Sequence, residues 1–375
     1  MAKKIKKGAG FILNKALISI LLSISLIVGG IFIYQKAFAV NNITPATGGE
    51  NISLDTVGGS YTTLGTISIT EAALAEIKTG THTFTLPPGW EFNTASTITF
   101  FSNWETSGLL VDGSFDITPS ANFFSINVVW ESWQAPATIS FSNIKVRPTH
   151  TTPQSALKIT HTAGVMTGVT NGNGNGVVGD NFGLLSSIVG QAASLRVTSS
   201  GASSVSTTVG VSKPLTITAY DKHGNIVSSG PNNYIGAKNL IFSGLSSSPA
   251  GGVPNVNGVN LGGATSITFT NGVASATVTP YKAESVSLDV LQSGTSVSSA
   301  SDASYDLDIS TVDNTKPVIT LTGANPQTIE VGSAYSELGA TASDNHDGNI
   351  TASIVINATA VNTAVVGSYT ITYNV

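Results

Sequence analysis

Five aspartates near the C-terminus could bind a metal ion: Asp306, Asp308, Asp313, Asp344 and Asp347. Calcium takes about six to eight oxygen ligands, and carboxylates from two adjoining segments can supply several at once. The alternative is that these residues cap turns through hydrogen bonds to their own backbone, while acidic linkers stay solvated. The spacing lacks the D-x-D-x-D-G pattern of an EF-hand. Calcium is therefore the one cofactor that the sequence suggests.

Exposed tryptophans could bind sugar rings by stacking, and all four tryptophans lie between residues 90 and 133. A sandwich without cysteine needs large side chains in its core, so most aromatic residues of this region are expected to be buried. Trp104 and Trp133 have polar neighbours in the sequence. These two are the candidates for an exposed, carbohydrate-binding platform.

Motifs for catalysis are missing from the sequence. None of the five histidines lies in an H-E-x-x-H pattern, and there is no P-loop and no G-x-S-x-G elbow. Residues 174–179 match G-x-G-x-x-G, but their flanks are polar and no βαβ unit surrounds them, so a flexible turn is predicted. The absence of cysteine excludes a thiol nucleophile and a zinc–cysteine site. We predict that the protein is not an enzyme.

The charge balance excludes other classes of function. Charged residues make up 10% of the chain, against about 25% in typical soluble domains. Taking the six lysines of residues 1–39 from the 16 basic residues leaves 10 against 21 acidic ones, a formal charge of −11. Nucleic acid is not an expected partner, because phosphate binding needs clustered Lys and Arg. We expect contact with a membrane only through the N-terminal segment.

Residues 1–39 are typical of an export signal. Four lysines in the first seven residues precede an uncharged apolar stretch over 16–34, and Ala37-Phe38-Ala39 follows as a cleavage site. The apolar stretch is longer than a usual signal core, so a retained membrane anchor is the alternative. Both alternatives place the rest of the chain outside the cytoplasm, because lysine-rich ends stay inside.

Beyond residue 39 the dominant period is two, which is typical of strands with one buried face. Many short strands without a βαβ rhythm predict an all-β fold of tandem antiparallel sandwiches behind the N-terminal apolar helix. Asn271-Gly272 predicts a tight hairpin turn, since both residues tolerate positive φ. Residues 71–78 (EAALAEIK) predict about two turns of helix.

Composition shifts divide the chain into modules. A sandwich module is expected at 43–167, a Gly/Asn-rich linker at 168–190, a second module at 191–309, a linker at 310–316 and a third domain at 317–375.

Five segments of the third domain carry a family resemblance: 317–321, 323–326, 329–332, 343–351 and 367–373. Through these segments the domain resembles the bacterial surface immunoglobulin-like domain of adhesins and some insecticidal toxins. In that family a further segment follows the last tyrosine-containing strand, so we expect the domain to be truncated at Val375. The second module is more loosely similar to invasin-type immunoglobulin-like modules, through a strand at 215–220 followed by Asp221-Lys222-His223-Gly224-Asn225.

The resemblance implies an exported, non-catalytic bacterial cell-surface protein. Its modules would present a surface to an extracellular protein or a polysaccharide. The alternative is a carbohydrate-binding accessory region of a larger extracellular enzyme.

Overall fold

The computed structural model describes residues 41–113 and 115–375, so the predicted export segment lies outside the described residues. In the described part of the chain, no helix has the length and apolarity that crossing a membrane requires. The described residues form two compact units. The first unit comprises residues 41–49, Tyr61–Val146 and Leu157–Leu185, and the second comprises Glu50–Ser60, Arg147–Ala156 and Ser186–Val375. The module limits drawn from the sequence stay predictions.

Strands dominate both units, which confirms the all-β prediction for the described residues. Helical structure there is limited to α1 (Trp104–Ser107) and to 3₁₀ turns at Leu54–Thr56, Ala303–Tyr305 and Thr351–Ser353. The strands up to residue 188 are β1 (Asn42–Thr44), β2 (Ile52–Ser53), β3 (Thr62–Thr63), β4 (Ile67–Thr70), β5 (Gly80–Thr85), β6 (Trp90–Phe92), β7 (Ile98–Ser102), β8 (Leu110–Asp112), β9 (Asp116–Ile117), β10 (Phe123–Trp130), β11 (Thr138–Ser142), β12 (Lys145–Pro148), β13 (Leu157–Lys158), β14 (Thr160–Ala163), β15 (Leu184–Leu185) and β16 (Ser187–Ile188). The remaining strands are β17 (Ser194–Thr198), β18 (Ser204–Thr208), β19 (Lys213–Tyr220), β20 (Gly236–Ser243), β21 (Asn255–Val256), β22 (Val259–Asn260), β23 (Ala264–Phe269), β24 (Val273–Thr279), β25 (Ser285–Gln292), β26 (Leu307–Val312), β27 (Val318–Leu321), β28 (Ala340–Asp344), β29 (Gly348–Asn349), β30 (Val355–Asn357) and β31 (Thr372–Asn374).

The first unit is a sandwich of two principal sheets, with strand orders β1-β4-β11-β7-β9 and β14-β5-β10-β8. Its core contains a cluster of phenylalanines from both sheets. The ring of Phe84 on β5 lies 5.0 Å from Phe141 on β11 and 5.1 Å from Phe124 on β10, measured between centroids. Burial of such rings supplies the main stabilisation, since the chain has no cysteine to form disulfides.

The second unit contains another sandwich, built from two five-stranded sheets with orders β17-β19-β24-β21-β22 and β18-β26-β25-β20-β23. Alternate residues of both sheets form one buried cluster, for example Ile217 on β19 and Phe242 on β20. β18 and β26 pair in parallel, whereas the other principal pairs are antiparallel. This parallel edge pair departs from the purely antiparallel sandwich that we predicted from the sequence.

The C-terminal part of the second unit carries two small sheets, β27-β28-β29 and β30-β31. Among its described hydrophobic residues, only Ala342 is buried. The carboxylate of Glu337 accepts hydrogen bonds from the hydroxyls of Tyr335 and Tyr373. These contacts connect β31 to the loop before β28, so polar contacts supplement the small core.

Residues 71–78 form a loop, and the prediction of a helix there is wrong. The buried carboxylate of Glu71 accepts hydrogen bonds from the backbone N–H of Ile77 (2.7 Å) and of Ala137 (2.7 Å). Glu76 accepts from the N–H groups of Ala72 and Ala73. Of these donors, the Ile77 N–H is one that a helix over 71–78 would pair internally, and Glu71 accepts it instead. The side-chain acceptors therefore stabilise the loop in place of the helix.

The turn at Asn271-Gly272 is confirmed, with φ of +49° and +78°. The strands on either side meet at the single bridge Thr270–Val273 and then enter different sheets of the second sandwich. The turn therefore connects the two layers, which the sequence pattern alone did not reveal.

Candidate functional site

Three of the five predicted metal-binding aspartates lie together in the second unit. Asp313 follows β26, while Asp344 and Asp347 frame the turn between β28 and β29. One carboxylate oxygen from each lies within 4.8 Å of the others. We call these three residues the acidic triad.

Backbone hydrogen bonds within turns fix the carboxylates of Asp313 and Asp344 in the acidic triad. Oδ1 of Asp344 accepts the backbone N–H of His346 (2.7 Å) and of Asp347 (3.0 Å). Oδ1 of Asp313 accepts the N–H of Thr315 (2.8 Å) in the same manner. The turn-capping role that the sequence analysis offered as the alternative to a metal site is therefore observed for Asp313 and Asp344, and it occupies one oxygen of each of these two carboxylates.

The second oxygens of Asp313 and Asp344 are buried without a hydrogen-bond partner. Backbone hydrogen bonds from Asp347 and His346 lower the pKa of Asp344, so this carboxyl is ionised at neutral pH. Buried carboxylate oxygens that lack hydrogen-bond donors are the groups that a hard cation binds. The remaining ligands of a calcium ion would have to come from backbone carbonyls and water.

Asp306 and Asp308 do not join the acidic triad. Leu307–Val312 is a strand with alternating burial, and Asp308 lies on its exposed face, at a sheet surface. Its Oδ1 accepts the hydroxyl of Ser287. Asp306 lies beside Asp289, and burial together with the charge of Asp306 raises the pKa of Asp289. The alternation Leu307, Ile309, Thr311 was the sequence signal for this strand.

Trp104 and Trp133 are 49% and 66% exposed in the first unit. Trp104 belongs to α1, and the backbone N–H of Trp133 donates to the Ser107 carbonyl of α1. Trp104 begins α1, and Trp133 packs over its C-terminal Gly108, where a Cβ would lie 2.3 Å from the indole nitrogen. The structure thus places the two rings at opposite ends of one helical turn. Carbohydrate binding by these rings stays a prediction.

Sequence reasoning missed other exposed aromatic residues of the first unit. On β7, Phe100 points into the sandwich and Phe101 points out. Phe115, Phe123 and Trp130 are exposed as well. Strand alternation predicts that two successive phenylalanines lie on opposite faces, so the pair at 100–101 was a usable signal.

Two of the histidines form a buried pair in the first unit. Nδ1 of His82 lies 3.1 Å from Nε2 of His161, and the outer nitrogens contact the Lys78 carbonyl and the Asn171 side chain. Burial lowers the pKa of His82, and it lowers the pKa of His161 to about 4 although the hydrogen bond with Asn171 opposes this. Fully buried, neutral imidazoles in contact with one another are core residues that solvent-borne substrates do not reach.

The G-x-G-x-x-G match at 174–179 is a turn, as predicted. The side chain of Asn175 accepts hydrogen bonds from the N–H groups of Val177 and Val178. The next described element is the strand β15 and not a helix, so the motif does not lead into a helix N-terminus that would bind a pyrophosphate.

The Asp221–Asn225 turn connects distant segments of the second unit. Buried Asp221 accepts hydrogen bonds from the N–H groups of His223 and Asn225 and from Gly190. The same turn reaches segments far away in sequence, because Lys222 Nζ donates to the Asp55 carbonyl and Asn225 Nδ2 donates to the Thr151 carbonyl. The sequence predicted the turn but not these long-range contacts.

A comparison with protein families finds one match, over residues 319–375, to the family described as bacterial surface protein, Ig-like domain. The match spans β27 to β31, the Asp344–Asp347 turn and Tyr373. No curated protein sequence matches the chain.

Comparison with solved structures finds bacterial surface proteins at low similarity. FdeC, an adhesin of Escherichia coli, is 14% identical over 76% of this chain and 69% of its own, with a TM-score of 0.27. Invasin, described as a bacterial integrin-binding protein, is 13% identical over 76% of this chain and 42% of its own, with a TM-score of 0.29. Domains 4 and 5 of the S-layer protein SbsC are 12% identical over 34% of this chain and 57% of their own, with a TM-score of 0.21.

The chain therefore covers only part of these solved chains, and TM-scores this low do not establish a shared fold. The family match covers the C-terminal part of the chain alone: residues 319–375 are similar to the bacterial surface Ig-like domain family.

Proposed function

We propose that this protein is an exported, non-catalytic component of the bacterial surface, in which β-sandwich modules present a binding face to an extracellular protein or polysaccharide. The match of residues 319–375 to a bacterial surface domain is the observation that carries the proposal. The export pattern of residues 1–39 supports it, with either a cleaved signal or a retained anchor. The experiment that tests it treats intact bacteria that express the chain with a membrane-impermeant label, which should react before lysis.

A carbohydrate-binding role for the first unit is the second candidate. The exposure of Trp104 and Trp133 favours it, since exposed indole faces provide apolar stacking surfaces. In this case the unit would be the accessory region of a larger extracellular enzyme.

We also propose that the acidic triad binds calcium and so orders the segment after β26 against the β28–β29 turn. Two unpartnered, buried carboxylate oxygens support this proposal. A bound ion would offset the mutual repulsion of three carboxylates within 4.8 Å.

Calcium should stabilise the second unit. Calcium sites of extracellular modules have Kd values of roughly 10⁻⁴–10⁻³ M, so 10 mM calcium should add about 1.4–2.7 kcal/mol to the free energy of unfolding. Urea unfolding with and without calcium measures this gain. Asp344→Asn should abolish it, and Asp308→Asn, on the sheet surface, should retain it. An equal gain in both variants, or no gain in the parent chain, would rule out the triad as a calcium site.

A further inference from the structure

An aromatic cleft opens at one edge of the first sandwich, between β7 of one sheet and β8 of the other. Its volume is about 270 Å³. The walls are mostly apolar, and the side chains that form them include Phe100, Trp104, Leu110 and Phe115. Trp104, Leu110 and Phe115 are exposed, so the cleft is open to solvent.

Ser102 supplies a polar group at the base of the aromatic cleft. The residue lies on β7 and is only 6% exposed. Its Oγ is buried and has no hydrogen-bond partner. An unpaired buried hydroxyl costs roughly 1–3 kcal/mol, and a ligand atom that pairs with it would recover part of that cost. The cleft therefore contains one side-chain hydroxyl, that of Ser102, without a hydrogen-bond partner in the folded chain.

The dimensions and walls of the aromatic cleft define the class of ligand. Sites for drug-sized molecules measure roughly 300–1,000 Å³, so this smaller cleft suits a single ring. Aromatic walls favour a flat ring, through stacking and edge contacts with Phe100, Trp104 and Phe115. A sugar has several hydroxyls, and the single unpaired serine could pair with only one of them. Each remaining hydroxyl that became buried without a hydrogen-bond partner would weaken binding.

The charged residues around the aromatic cleft further restrict the class of ligand that it can bind. Across residues 98–113 and 115–117, which frame it, the charged residues are Glu105, Asp112 and Asp116. All three are acidic and exposed, so the local charge disfavours an anionic ligand. A neutral ring carrying one hydrogen-bonding group meets these conditions.

We propose that the aromatic cleft binds a phenolic ring, with its apolar face against Trp104 and Phe115 and its hydroxyl paired with Ser102. The ring can belong to a free phenol or to a tyrosine side chain of a partner. This assignment does not rest on the surface role proposed above, since it concerns one cleft within the first unit.

The test titrates the full chain with p-cresol, toluene, N-acetyl-tyrosinamide and methyl glucoside, and follows binding by calorimetry. p-Cresol should bind saturably and about tenfold more tightly than toluene, which lacks the hydroxyl. Binding of N-acetyl-tyrosinamide at least as tight as that of p-cresol indicates a peptide partner, and weaker binding indicates a free phenol. Failure of p-cresol to bind, equal affinity for toluene, or tighter binding of methyl glucoside would overturn the proposal.

Two variants separate binding from folding. Ser102→Ala should leave the melting temperature unchanged or slightly raised, because Oγ has no partner in the folded chain. It should reduce p-cresol affinity to that of toluene. Trp104→Ala should weaken the binding of both p-cresol and toluene. Trp130→Ala removes an exposed tryptophan that does not line the cleft, and it should leave both affinities unchanged. Unchanged p-cresol affinity in Ser102→Ala would contradict the assignment.

Discussion

We expect Phe84→Ala to lower the free energy of unfolding of the first unit by about 3–5 kcal/mol, the usual cost of deleting a buried phenylalanine. Phe84 is fully buried and its ring contacts Phe124, Phe141 and Phe182 at centroid distances of 5.0–5.2 Å. Removing it leaves a cavity between the two sheets that the surrounding rings cannot fill without leaving their rotamers. The loss is large for a domain without disulfides, whose total stability is about 5–15 kcal/mol.

Tryptophan fluorescence measures this effect in the first unit alone, because Trp90, Trp104, Trp130 and Trp133 all lie there. Urea unfolding followed at these residues gives the free energy of the parent chain and of the variant. Phe101→Ala on β7 is the matched control, since Phe101 is 57% exposed, and it should change the value by less than about 1 kcal/mol. Similar losses in the two variants would contradict the sandwich core described above.

Asp221→Ala should destabilise the second unit by about 2–4 kcal/mol, because it leaves the N–H groups of Gly190, His223 and Asn225 without their acceptor. Asp221→Asn should cost less, about 1–2 kcal/mol, since the amide oxygen can still accept from the turn while its NH₂ faces the Gly190 donor. Circular dichroism reports the unfolding of both units, whereas tryptophan fluorescence reports the unfolding of the first unit alone. A transition seen by circular dichroism but not by fluorescence therefore belongs to the second unit. Asp308→Asn, at the surface of the same unit, should have almost no effect.

The Asp221 carboxylate should also make the second unit sensitive to acid. Burial alone would raise the pKa of Asp221, but hydrogen bonds from Asn225, Gly190 and His223 outweigh burial and lower it. The folded pKa therefore lies below the unfolded value of about 3.9, so the stabilisation is present above that pH and is lost as the pH falls through the folded pKa. Comparing the parent chain with Asp221→Asn between pH 6 and pH 2.5 isolates this contribution. A stability difference that does not shrink at low pH would show that the charge is unimportant.

The sequence predicted the strands, turns and exposed tryptophans that depend on residues close together in the chain. Period-two alternation predicted the strands. The Asp221–Asn225 and Asn271-Gly272 turns follow from the backbone preferences of a few residues. The polar neighbours of Trp104 and Trp133 indicated that these two side chains are exposed. In each case the residues that determine the structure are adjacent in the chain.

Features that depend on distant partners were not predictable in this way. Residues 71–78 have helical periodicity, but the Glu71 carboxylate bonds to Ala137, which is remote in sequence. The pairing of β18 with β26 and the contact of Lys222 with the Asp55 carbonyl likewise join remote segments. The three members of the acidic triad were among the five aspartates singled out in the sequence, but only the fold brings them together. The alternation of Leu307, Ile309 and Thr311 was available as a signal that Asp308 lies on a strand, and the sequence analysis did not use it.

Placement outside the cell is the central claim, and the absence of cysteine makes it directly measurable. Ser301→Cys introduces one thiol at an exposed position of the second unit, and Lys3→Cys introduces one in the basic N-terminal region. Intact bacteria expressing each chain are treated with a membrane-impermeant maleimide before and after lysis. The proposed function predicts that Ser301→Cys is labelled fully on intact cells and that Lys3→Cys is not. Protection of Ser301→Cys until lysis would contradict it.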